Sequence, residues 1–162
     1  MYIPFNQLSD EARIWIYQAS RPLEPRERSA IMQRTREFLE QWTAHGNALQ
    51  CSADLLYNQF LILAVEESHQ GATGCAVDAS IHFVRELEQV FQVGLLGRDQ
   101  VAFRSEETHF LAPLDQLKAT IQRGEITVDM LTFDNTITTK KALTDKWLLR
   151  AEDSWLGKYF RQ

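Results

Sequence analysis

Six consecutive apolar residues, Phe60-Leu61-Ile62-Leu63-Ala64-Val65, follow closely on the pair Tyr57-Asn58. A short continuous apolar run bounded by turn residues reads as a strand covered on both faces, so the rest of the chain must supply neighbours for it. Leu49, Cys51, Ala53 and Leu55 alternate with polar residues just upstream and predict a hairpin in which Phe60–Val65 is the central strand. Residues 12–17 set Ile14 and Ile16 against Arg13, Trp15 and Tyr17, the period-two pattern of a first strand.

Between these strands, Pro25 opens a helix, and Ile31, Thr35, Phe38, Leu39 and Trp42 recur at helical spacing until Gly46, the expected stop. His45 then falls at a helix C-terminus. A loop over residues 66–77 precedes a second amphipathic helix marked by Ile81, Val84, Leu87 and Phe91, ending near Gly94. Residues 101–103 and 108–111 flank Ser105-Glu106-Glu107 as a further hairpin. Strand, helix, strand, strand, helix and hairpin predict an α+β fold, with a ferredoxin-like split β-α-β sheet that the hairpin completes.

Pro113 and Gly124 bracket a short helix carrying Leu114, Leu117 and Ile121, and Thr127 and Thr138 are candidate caps in the tail. This predicts a small C-terminal hairpin and helical lobe, with Trp147 and Trp155 anchoring the tail to the core. No linker composition separates the halves, so the expectation is one domain over 1–162, with sub-lobes 1–96 and 97–162.

Composition narrows the classes of function. Apolar residues make up 44% and charged residues 24%, an ordinary globular balance. Seventeen Lys and Arg against 22 Asp and Glu leave a net charge of -5, which disfavours phosphate backbones and anionic lipid. Arg21, Arg26, Arg28, Arg34 and Arg36 are interleaved with Glu24, Glu27, Glu37 and Glu40, the pattern of a solvated helix face, so no nucleic-acid partner is expected. The opening Met1-Tyr2-Ile3-Pro4 lacks an export signal, and no run approaches a membrane span. Cys51 and Cys75 lie far apart, without metal-site or disulfide spacing, which fits a cytoplasmic protein with reduced thiols.

Phosphate-binding signatures are absent: there is no Gly-x-x-x-x-Gly-Lys-Ser/Thr and no Gly-x-Gly-x-x-Gly between strand and helix. Ile14-Trp15-Ile16-Tyr17-Gln18, the run Phe60–Val65, residues 74–83 and Asp153-Ser154-Trp155 give the chain its resemblance to a family of short uncharacterised bacterial proteins often labelled ABC transporter ATPases. The label implies a nucleotide site that the missing signatures do not build, so the resemblance transfers a family and no activity. Residues 114–147, with Gly124-Glu125-Ile126-Thr127 and a later Trp, are also similar to bacterial GYF-type modules, although the Gly-Tyr-Phe element is missing. That likeness implies recognition of proline-rich peptides.

The stretch with most chemistry is His69-Gln70-Gly71-Ala72-Thr73-Gly74-Cys75-Ala76-Val77-Asp78. It joins a buried strand to a helix and exceeds the usual connection of about 2 to 6 residues. Gly71 and Gly74 permit positive φ and, with Thr73, a ligand-binding loop. Cys75 just before a helix N-terminus is a candidate nucleophile, since unpaired N–H groups and the positive dipole end favour a thiolate. His69 is its candidate base, and Asp78 or Glu67 the group that orients the histidine. The plainer reading makes Cys75 a small buried residue, Asp78 an N-cap and His69 a surface residue. A metal set of His69, Cys75, Asp78 and His82 is disfavoured, because Asp78 and His82 share the helix face opposite Val84, Leu87 and Phe91. No metal and no cofactor are implied. Glu66-Glu67 and Glu106-Glu107 are adjacent carboxylates in loops, with no sign of convergence.

Two functions follow. The first is a non-enzymatic domain that binds another protein or a small ligand, with a homodimer open. The alternative is a thiol-dependent enzyme built on Cys75, with backbone N–H groups after Gly74 as oxyanion donors.

Overall fold

A computed structural model describes residues 1–68, 70–106 and 108–161. The chain forms two compact units, one of Met1–Leu96 with Thr138–Lys141, the other of Gly97–Ile137 with Ala142–Gln162. Both mix helix and sheet, so the α+β class holds.

In the first unit, strand β1 (Arg13–Gln18) leads to helix α1 (Pro25–Gln41), a two-stranded ribbon of β2 (Thr43–Ala44) and β3 (Asn47–Ala48), and strands β4 (Cys51–Leu56) and β5 (Phe60–Val65). Helix α2 (Gly74–Phe91) follows. The sheet order is β1-β5-β4, both pairings antiparallel, so β1 and β4 run the same way on either side of β5. Every residue of β5 is buried, as its unbroken apolar run requires. One face carries Tyr17, Cys51, Ala53, Leu61, Leu63 and Val65 into a core with Ile31 and Leu39 of α1 and Phe83, Val84 and Leu87 of α2. Each such large apolar side chain contributes about 1.5–3 kcal/mol through burial.

Local chemistry sets the ends of these elements. Pro25 stands at the start of α1, and the Glu27 carboxylate accepts the Glu24 N–H at 3.0 Å. The helix ends at Gln41, before Trp42. His45 and Gly46 then take φ of 52° and 78° and form the two-residue turn between β2 and β3, so Gly46 stops no helix and His45 sits in a hairpin. Tyr57 and Asn58, both at positive φ, make a similar turn between β4 and β5. Helix α2 closes on Gln92 at φ 51°, two residues before the expected Gly94.

Both edges of this sheet are met by other parts of the unit. Along β4, the Ile3 N–H donates to the Cys51 carbonyl and the Cys51 N–H to that of Met1. The Met1 ammonium donates to the carbonyls of Leu39 and Leu49. Along β1, the segment Thr138–Lys141 lies antiparallel, with Arg13 opposite Thr139. The Ile14 N–H donates to the Thr138 carbonyl and the Lys140 N–H to that of Ala12, each at 2.9 Å. The Lys140 Nζ donates to the Leu8 carbonyl at 2.6 Å.

The second unit holds β6 (Gln100–Ser105), β7 (Thr108–Pro113), α3 (Leu117–Gln122), β8 (Leu131–Phe133), β9 (Leu148–Arg150) and α5 (Gly157–Phe160), with α4 (Lys140–Asp145) entering it from Ala142. Its sheet runs β7-β6-β8-β9. The β6–β7 hairpin, expected to complete the first sheet, belongs here, because β6 pairs with β8 on its other edge. Phe103, Leu117, Ile121, Ile126 and Leu156 form the core. Gly124, at φ 76°, closes α3 by donating to the Ile121 carbonyl. Trp147 is buried, packs on Phe133 at 4.9 Å and donates from Nε1 to Asn135. Trp155 does not anchor the tail: it is 53% exposed and meets Tyr159 edge to face at 6.2 Å.

Candidate functional site

Helix α2 starts earlier than its apolar stripe predicts, and this rearranges the candidate loop. Gly74 and Cys75 lie in the first turn, and the connection from β5 shrinks to residues 66–73. The cap is Thr73, whose Oγ1 accepts the Ala76 N–H at 3.2 Å. Asp78 is therefore not the N-cap; it sits exposed in the next turn. Neither Gly71 nor Gly74 takes a positive φ. A Cβ at Gly71 would stand 3.0 Å from the Glu67 carboxylate, which accepts the Ala72 N–H and shapes the loop, whereas Gly74 faces open space.

Cys75 is exposed rather than buried. It lines an open groove of about 410 Å³ with Phe38, Gln41, Trp42, Thr43, His45 and Thr73, and with Ala76 and Ala79 of α2. The last turn of α1, the β2–β3 turn and the first turns of α2 thus meet in one place. The aromatic side is tightly fixed: Phe38 stacks on Phe83 at 4.5 Å and 3°, tilts onto Trp42 at 5.4 Å, and Trp42 meets Trp15 at 6.0 Å. The buried Trp42 indole donates from Nε1 to the Ala76 carbonyl at 2.9 Å, which ties α1 to α2. Gln41, Thr43 and His45 are exposed and supply amide, hydroxyl and imidazole groups.

The expected constellation is only partly assembled. His69 lies outside the described residues, as does Glu107. Asp78 is not among the groove residues, and His82 is exposed on the solvent side of α2 with it. His45 shares the groove with Cys75, a juxtaposition sequence spacing missed. The signal for it was present in the His45-Gly46 pair, a good two-residue hairpin turn once the helix ends before Trp42.

The second thiol contrasts with the first. Cys51 is buried in β4, and its Sγ donates to the Leu39 carbonyl at 3.3 Å. Burial pushes its pKa up to about 11, against the smaller opposing pull of the Met1 ammonium.

No family model, curated protein or solved structure matches the chain. No described helix is long and apolar enough to cross a membrane.

Proposed function

We propose that this is a non-enzymatic cytoplasmic binding domain whose groove beside Cys75 takes a small ligand with a flat apolar part and one hydrogen-bonding group. The observation that carries this reading is the fixed aromatic side of Phe38 and Trp42 next to exposed Gln41, Thr43 and His45. Binding sites combine apolar walls with a few placed polar groups in this way. Titrating fragment-sized aromatic amides and carboxylates, with amide NMR shifts as readout, tests it. Perturbation should centre on Ala76, Ala79 and the Trp42 indole; binders that perturb only other surfaces would overturn it.

The second reading, a thiol-dependent enzyme, is favoured by Cys75 and His45 opening into one groove. There the Cys75 sulfur would add to an ester or amide carbonyl carbon as His45 takes the thiol proton. His45 would return that proton to the departing alcohol or amine as its bond to the carbonyl breaks, and water would hydrolyse the resulting thioester to free the thiol. Turnover of activated esters or amides that disappears in both Cys75→Ser and His45→Ala would favour it over the first.

Family and fold complete the proposal. Membership of the bacterial family often labelled transporter ATPases rests on the sequence segments above, and nucleotide chemistry is not part of it. The first unit fits a split β-α-β unit of ferredoxin-like type, because β1 and β4 run parallel around β5. Thr138 and Thr139, just ahead of α4, then lie where a fourth strand would stand beside β1, through the single bridge of Arg13 to Thr139. The GYF-type likeness, over residues 114–147, falls mostly in the second unit, and the exposed Trp155, which meets the partly buried Tyr159, lies outside that stretch.

A further inference from the structure

We draw no further inference here: the strongest candidate, the pairing of exposed Cys75 and His45 in the groove where the last turn of α1, the β2–β3 turn and the first turns of α2 meet, belongs to the site already described.

Discussion

The indole of Trp42 and the backbone of Ala76 form a 2.9 Å hydrogen bond that fastens the end of one helix to the beginning of another. Trp42 is buried, so its removal takes away both packing and a satisfied donor, leaving the Ala76 carbonyl without it. Trp42→Phe should cost about 1 to 3 kcal/mol, and Trp42→Ala about 3 to 5 kcal/mol. Urea titration followed by circular dichroism measures both, and a Trp42→Phe loss near zero would mean that the hydrogen bond contributes nothing.

The two thiols should differ sharply under native conditions. Iodoacetamide at neutral pH is expected to modify Cys75, which is exposed, and to spare Cys51, which is buried with its pKa raised to about 11. Denaturant should bring Cys51 into reaction. Native labelling of Cys51 at a rate comparable to Cys75 would contradict the placement of β4.

Acid should weaken the link between the helices. Arg21 donates to both carboxylate oxygens of Glu27 at 2.8 Å, and also to the Phe91 carbonyl at the end of α2. That bidentate pairing, with the Glu24 N–H, lowers the Glu27 pKa from 4.5 to about 2. Because the folded value is depressed, the stabilisation is present above the unfolded pKa and disappears as pH falls from about 4.5 toward 2. Arg21 is 40% exposed, so screening holds the contribution to about 1 kcal/mol. Glu27→Gln should flatten the stability profile in this window, measured by thermal denaturation against pH, and a profile parallel to wild type would refute the assignment.

The two C-terminal tryptophans should separate in the same fashion. Trp147→Ala is expected to cost about 3 to 5 kcal/mol, while Trp155→Ala should stay within about 0.5 kcal/mol. Acrylamide quenching should lose its most accessible component in Trp155→Ala. Retention of that component would place Trp155 away from solvent.

Calorimetry with ATP and Mg²⁺ should show no specific binding, since no Gly-rich loop with a following lysine positions phosphates. Micromolar, Mg-dependent affinity would overturn this expectation.

Periodicity made the central strand, its hairpin partner and both long helices readable, because burial on one face imposes a repeat. The start of α2 was hidden because Gly74, Cys75 and Ala76 precede the apolar stripe, and only the Thr73 hydroxyl marks the boundary. The groove was hidden for another reason: Phe38, His45 and Cys75 come from three elements, and no local repeat encodes their meeting. Trp155 misled the reading because a large aromatic is more often interior than not, while here the short α5 leaves it outside. The β6–β7 hairpin was legible as a hairpin, but which sheet it joins depends on β8, a three-residue strand with little pattern of its own.

The pairing of Thr138–Lys141 with the edge of β1 bears on how the protein is made. Strand β1 leaves the ribosome early, yet Thr139 follows about 125 residues after Arg13, and non-local closures of that span are slow to find. At roughly 5–20 residues per second, β1 waits about 6 to 25 s with an uncovered edge. Polysomes bring several nascent chains into that same window side by side. The amino-terminal unit is thus finished only after most of the second unit has been synthesised, and its most exposed moment for mispairing falls during translation rather than after release.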